Sequence, residues 1–162
     1  MCCDGVLFYG VKLQASDSSR ALRALGLKVK RKYGHEQSLQ PCPAHQNCSC
    51  SIYADRPQRC RDFECLQLAW VARAGLSETQ ALENILRART LVDRVEALLL
   101  IAKDERAGKS LATRCETVFT PPLDDSPGAA ENRVALGGAI KELEAFLSSH
   151  FRVELPPSEL GC

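Results

Sequence analysis

The sequence predicts an α+β protein, mostly α, in which a small irregular cysteine-rich domain with a short hairpin packs on a helical bundle. Seven of the nine cysteines fall within the first 65 residues. From residue 62 onward, apolar residues recur at helical spacing instead. We therefore divide the chain into a cysteine-cluster domain at 1-66, a helical region at 67-155 and a loose tail at 156-162.

Charge and hydropathy limit the classes of partner. Lysine and arginine total 21 against 20 acidic residues, so there is no broad attraction to nucleic acid or anionic lipid. No apolar run approaches the roughly 20 residues of a membrane helix. The first residues lack the basic and long apolar regions of a secretory signal. We expect a cytoplasmic protein without a nucleic-acid or membrane partner.

The N-terminal part predicts short elements. A run rich in apolar residues indicates a strand, serines before an apolar helical face indicate a capped helix, and alternation around Gly34 indicates a hairpin. Prolines and turn formers among the cysteines predict irregular backbone that needs an internal staple. These are, in order, a strand at 6–13, a helix at 20–25, hairpin strands at 27–33 and 36–40, and the irregular segment 41–65.

The rest of the chain predicts helices. One begins at Asp62 and ends at Gly75, which places Cys65 in its first turns. Ser77 and Gln80 form a capping box for the longest helix. Its expected apolar stripe includes Leu82, Ile85, Leu86, Val92, Val95, Leu98, Leu99 and Ala102, and continues towards Gly108. A short helix at 110–118, a polar loop at 121–128 and an amphipathic helix from Val134 to Leu147 follow.

The cysteines predict a metal centre. Without an export signal, reducing conditions leave thiols free for metals or redox chemistry. Converging thiolates repel one another unless a cation neutralises them. A disulfide framework is the weaker alternative, because neighbouring cysteines do not easily bond to each other. The cluster comprises Cys2, Cys3, Cys42, Cys48, Cys50, Cys60 and Cys65; Cys115 is expected to be a buried small hydrophobe and Cys162 a free thiol.

The run CSIYADRPQRCRDFEC at 50–65 resembles the core signature of the YkgJ-type cysteine-cluster family of zinc- or iron-chelating proteins. The resemblance covers about the first 66 residues and includes the double cysteine at 2–3. The chain departs from the family in having no further cysteine before that pair and one extra residue before Cys65. The resemblance implies metal ligands in the order Cys3, Cys50, Cys60 and Cys65, then Cys2 and Cys42, and Cys48 last.

The metal itself is open between two candidates. The chain has no CxxC knuckle of the kind typical of structural zinc. The flagellin lysine methylases, longer members of the same family, resemble iron-sulfur proteins, which favours a 4Fe-4S iron-sulfur cluster slightly over Zn²⁺. His45, midway between Cys42 and Cys48, is a candidate for a mixed zinc site or is a surface histidine.

Two functions remain. One is a metalloenzyme that modifies a peptide or protein, and the alternative is a non-catalytic metal-binding or adaptor module in which the metal is a structural staple. Arg56, Arg59 and Arg61 either hold an anion or neutralise thiolate charge, and the second reading is favoured. Nucleotide-binding loops and hydrolase motifs are absent from the sequence. No catalytic residue is assigned.

Overall fold

The computed structural model describes residues 1–32, 34–106, 108–122 and 127–152. Within these ranges the fold is α+β and mostly α, as predicted. The elements are β1 (Gly10–Lys12), α1 (Ser19–Ala24), β2 (Val29–Lys32), β3 (His35–Leu39), β4 (His45–Gln46), β5 (Ser49–Cys50), α2 (Gln58–Asp62), α3 (Leu66–Ala72), α4 (Glu78–Ile101), α5 (Leu111–Phe119) and α6 (Ala129–His150).

Strands β1, β3 and β2 form an antiparallel sheet in that order. The predicted hairpin is confirmed: β2 and β3 pair with Val29 opposite Ser38, and Gly34 turns the chain at φ 77°. The predicted strand at 6–13 is shorter, because only Gly10–Lys12 pairs with β3. Leu7, before β1, is buried in the helical core instead. The residues around it therefore do not pair with β3.

The main core lies between α4 and α6. Val95, Leu99, Leu136 and Leu147 are fully buried there. The predicted capping box of α4 is confirmed, since the Ser77 hydroxyl accepts a hydrogen bond from the Gln80 amide and the Gln80 side chain accepts one from the Ser77 amide. A smaller core under the sheet contains Leu22, Leu27, Val29 and Ala44.

The predicted apolar stripe of α4 is wrong at two positions. Leu82 and Leu86 are 60% and 61% exposed. The buried face of α4 instead contains Ala81 and Ala88 near its start. Leu82 follows Ala81 by one residue and is therefore rotated by about 100° around the helix axis, away from the buried face. Val134 of α6 is likewise exposed rather than buried.

Helix α4 ends earlier than predicted. It stops at Ile101 rather than continuing towards Gly108. Lys103 adopts φ 56°, its amide donates to the Leu100 carbonyl, and the Asp104 amide donates to the Leu99 carbonyl at 3.0 Å. This is a Schellman motif. It redirects the chain so that Asp104 lies against α5.

The segment 41–65 is more regular than predicted. It contains the β4–β5 hairpin, a 3-10 turn at Tyr53–Asp55 and α2. The helix predicted from Asp62 begins at Leu66, with Cys65 as its N-cap residue. Phe63 causes the interruption: its backbone is extended and its ring packs edge-on against Phe8, with 5.1 Å between centroids.

The remaining predicted helices are confirmed. Ser18 caps α1 and Ser110 caps α5, each accepting from the amide three residues later. Cys115 is buried, as predicted. The described residues contain no helix with the length and hydropathy to span a membrane. The predicted loose tail at 156–162 and the loop residues 123–126 lie outside the described ranges.

Candidate metal centre

The six predicted ligands lie in five places in the fold. All six are half-buried free thiols: Cys2 and Cys3 in the N-terminal turn, Cys42 before β4, Cys50 in β5, Cys60 in α2 and Cys65 at the start of α3. Cys48 is an exposed free thiol.

Backbone contacts hold the N-terminal turn in place. The Cys42 amide donates to the Cys3 carbonyl at 2.8 Å, which joins two parts of the chain that are far apart in sequence. The Gly5 carbonyl accepts from the Leu111 amide at 3.0 Å. Cys2 also packs against the helical core. The positions of Cys2 and Cys3 therefore depend on both α5 and the segment before β4.

Gly5 is required for this arrangement. It has φ +84°, and a Cβ there would lie 3.0 Å from the Ser110 Cα. We expect Gly5→Ala to lower the free energy of unfolding by about 2 kcal/mol or more, because the backbone strain of alanine at positive φ adds to the steric clash of its Cβ. Chemical denaturation measures this free energy. Gly26→Ala is the control, because Gly26 has a similar φ but nothing within 4 Å; equal losses in both variants would show that the close approach to Ser110 is unimportant.

The β4–β5 hairpin carries Cys42 and Cys50 to the same region. Cys50 pairs with His45, whose amide donates to the Cys42 carbonyl at 3.0 Å. Both cysteines pack against the smaller core. At the hairpin tip, Asn47 and Cys48 both have positive φ. Cys48 thus lies at an exposed turn, and His45 is exposed as well.

Asp17 positions α2, and sequence reasoning missed this role. Its two carboxylate oxygens accept from the Gln58 and Gln14 amides, each at 2.8 Å. The Gln58 amide belongs to the first turn of α2, the helix that carries Cys60. Buried Pro57 precedes that turn. No local sequence pattern indicated this long-range partner of Asp17.

Several of these thiols influence one another's pKa. Burial, together with negative charge on Cys3, Cys42 and Cys50, raises the pKa of Cys60 to about 12. Burial likewise raises the pKa of Cys3, with further contributions from Cys42 and Cys50. The pKa of Cys42 is raised by burial and by Cys50. We call Cys3, Cys42, Cys50 and Cys60 the thiol cluster.

Cys2 is next to Cys3 in the chain, and Cys65 influences the pKa of Cys2. Burial, together with negative charge on Cys3 and Cys65, raises the pKa of Cys2 to about 11. The N-terminal ammonium group opposes this effect and forms an ion pair with Asp4 at 3.1 Å. Charge on Cys42 therefore raises the pKa of Cys3 and Cys60, which burial also raises, whereas charge on Cys65 acts on Cys2.

The chemistry of this donor set suits a soft cation. Several thiolates in one region are the ligands that zinc and iron-sulfur clusters prefer. In the described ranges, no three side chains among His, Cys, Asp and Glu are arranged to hold a metal ion as they stand. Shared ligation therefore requires the sulfur atoms to come closer together than in this structure.

Two surface cavities lie near the cysteine-bearing elements. One, of about 350 Å³, is lined by Met1, Asp4 and Val6 together with residues of α4. The other, of about 200 Å³, lies between the start of α1 and the 3-10 turn, and Arg56 and Arg61 contribute to its wall. Neither cavity is lined by a cysteine.

Comparisons of this chain with protein-family models, with curated proteins and with solved structures each find no match.

Proposed function

We propose that this chain is a metal-binding cysteine-cluster protein of the YkgJ type, with Cys3, Cys42, Cys50 and Cys60 as the central ligands. The observation that carries the proposal is that these four half-buried free thiols come from four places in the fold, where the Cys3–Cys42 backbone hydrogen bond and the β4–β5 pairing hold three of their segments together. Binding a cation replaces the thiol protons and removes the repulsion between thiolates. Rotation about χ1 moves a cysteine sulfur without moving the backbone.

The metal is a 4Fe-4S cluster in the favoured form of this proposal and Zn²⁺ in the alternative. Resemblance to the iron-sulfur-like flagellin lysine methylases supports the first. The alternative draws on the tetrahedral preference of zinc, which four thiolates satisfy completely. Cys2 and Cys65 are the additional candidate ligands.

Anaerobic purification followed by measurement of iron, zinc and acid-labile sulfide tests the proposal. We expect close to stoichiometric metal, because structural thiolate sites bind strongly at neutral pH. Iron with sulfide and broad visible absorption identifies the cluster, whereas a colourless protein with zinc identifies the alternative. Less than about half an equivalent of both metals would contradict metal binding by this chain.

The role of the metal has two forms. In the first, the metal is a structural staple for the N-terminal segments; this form is supported by their short elements, their small separate core and the absence of a cysteine from both cavity walls. In the second, the protein is a metalloenzyme acting on a peptide or protein. A catalytic metal keeps an open coordination position, whereas a staple is saturated. Spectral change of the Co²⁺-substituted protein on adding cyanide or imidazole favours the enzyme.

A further inference from the structure

The outer face of the three-stranded sheet is strongly basic. Successive residues of a strand alternate between the two faces of a sheet. Leu27 and Val29 are buried in the smaller core, so the residues that alternate with them point to the outer face. These residues are Lys28, Lys30 and Lys32, and all three are exposed.

Strand pairing extends this basic surface across the sheet. Lys12 of β1 and Lys30 of β2 both lie opposite Gln37 of β3. Because residues directly opposite each other share a face, Lys12 joins the lysines of β2. We call this surface the basic sheet face, and none of its residues is acidic: Gly10, Lys12, Lys28, Lys30, Lys32, His35, Gln37 and Leu39.

The lysines of the basic sheet face carry uncompensated charge. Among the described residues, Lys12, Lys28 and Lys30 form no ion pair. Alternate residues of a strand are roughly 6–7 Å apart, so neighbouring ammonium groups along β2 repel one another. The net charge of +1 for the whole chain conceals this local concentration. A partner with closely spaced negative charges would relieve the repulsion.

An aromatic ring lies beside the same lysines. Lys32 Nζ is 5.0 Å from the centroid of the Tyr9 ring, and Tyr9 is 42% exposed. The bases of single-stranded nucleic acid stack on exposed aromatic rings next to basic surfaces. The bases of a duplex are already stacked, and an acidic peptide has only charge to offer. The combination of lysines and ring therefore favours a single strand.

We propose that the basic sheet face binds single-stranded nucleic acid, with lysines on the phosphates and Tyr9 against a base. From Lys28 to Lys32 the face spans roughly 13 Å, so it holds only a few nucleotides. We expect a dissociation constant of about 1–100 µM at physiological salt, the range of binding that does not depend on sequence. No cysteine belongs to this face, so the inference is independent of the metal centre.

Fluorescence anisotropy of a labelled oligothymidylate of about ten nucleotides tests this with the full chain. Titrations at several salt concentrations give the affinity and the slope of its logarithm against the logarithm of salt concentration. We expect Lys30→Gln to weaken binding by about threefold or more at low salt and to reduce that slope by about 0.7, the value for one lost phosphate contact. An oligouridylate of equal length should respond in the same way.

Arg31→Gln is the matched control. Arg31 is exposed on the same strand, but it alternates with the lysines and lies opposite Glu36 on the other face. We expect its affinity and salt slope to stay close to those of wild type. Equal losses in Lys30→Gln and Arg31→Gln would overturn the proposal in favour of general attraction to positive charge.

Tyr9→Leu separates stacking from charge. We expect about fivefold weaker binding or more with an unchanged salt slope, because stacking releases no counterions. Unchanged affinity would overturn the role of the ring. Tighter binding of wild type to a DNA duplex, to polyglutamate or to vesicles containing phosphatidylserine would overturn the assignment to single strands. No binding of either oligonucleotide at low salt would overturn the proposal altogether.

Solubility measurements address a purely structural role for the lysines. Strand β2 lies at an edge of the sheet, and edge lysines prevent pairing with other chains. Lys30→Gln that self-associates in size-exclusion chromatography but binds oligothymidylate like wild type would assign the lysines to that role and overturn the proposal. Lys30→Arg keeps the charge, and we expect it to retain wild-type affinity.

Discussion

Changing Cys60 to serine is expected to abolish most metal binding. Burial and negative charge on the other three members of the thiol cluster raise the pKa of Cys60. Serine preserves the shape of the side chain but does not ionise near neutral pH, and so supplies no anionic ligand. We expect at least about a tenfold fall in metal retained against a chelator, together with greater protease sensitivity of the N-terminal third.

Two other thiols serve as controls for this prediction. Cys48→Ser alters an exposed thiol at the hairpin tip, and Cys115→Ser alters a buried thiol in the helical core. We expect metal content to stay at the wild-type level in both. Loss of metal from Cys115→Ser would show that the centre lies elsewhere in the chain, and full retention by Cys60→Ser would remove Cys60 from the ligand set.

Substitutions of Cys42 and of Cys65 test two different rankings of the ligands. One ranking follows from the family resemblance, and the other is indicated by the structure. The resemblance ranks Cys65 among the leading four ligands and Cys42 behind them. The structure couples Cys42 to Cys3, Cys50 and Cys60, and it couples Cys65 to Cys2. A greater loss of metal from Cys42→Ser than from Cys65→Ser is expected if the coupled thiols are the central ligands.

Changing Asp104 to alanine is expected to lower the free energy of unfolding by about 3–5 kcal/mol. The Asp104 side chain is fully buried and accepts from Arg114 Nε at 2.8 Å and from Arg106 Nε at 2.6 Å. Arg114 is only 10% exposed, and without Asp104 it keeps an ion pair with the half-exposed Glu96. Removing one partner of a buried ion pair leaves the other charge poorly solvated. Urea denaturation followed by circular dichroism measures the loss.

An exposed ion pair provides the matched control. Arg94 and Glu142 join α4 to α6 at 2.8 Å, but their side chains are 58% and 47% exposed. We expect Glu142→Ala to change the free energy of unfolding by less than about 1 kcal/mol, because water and salt screen such pairs. Similar losses in the two variants would mean that burial does not set the strength of the Asp104 pair.

The same ion pair makes stability depend on pH. Burial alone would raise the pKa of Asp104, but hydrogen bonds from Arg114 and Arg106 outweigh burial and hold it below its ordinary value of 3.8. Its contribution is therefore complete above pH 3.8 and is lost as the pH falls through the lower folded pKa. The stability difference between wild type and Asp104→Asn should shrink in strong acid.

Tertiary packing decided several features that local patterns missed. Helix periodicity predicted that Leu82 and Leu86 would be buried, but their exposure depends on which side of α4 faces α6. Similarly, a helix pattern from residue 62 is interrupted because the Phe63 ring packs on Phe8. Both differences arise from contacts between residues distant in sequence, which a repeat of three or four residues does not encode.

The sequence by itself determined the elements whose causes are local. Ser77 with Gln80 marks the start of α4, Ser110 that of α5, and Gly34 the turn of the hairpin, because capping and turn geometry involve residues a few positions apart. It also determined that thiols are concentrated in the first 65 residues. The structure decided which cysteine-bearing segments come together, through the Cys3–Cys42 backbone hydrogen bond and the Asp17 contact with α2. Those contacts join residues that are far apart in sequence and so close long loops. They form only when the whole chain packs, so no local pattern predicts them.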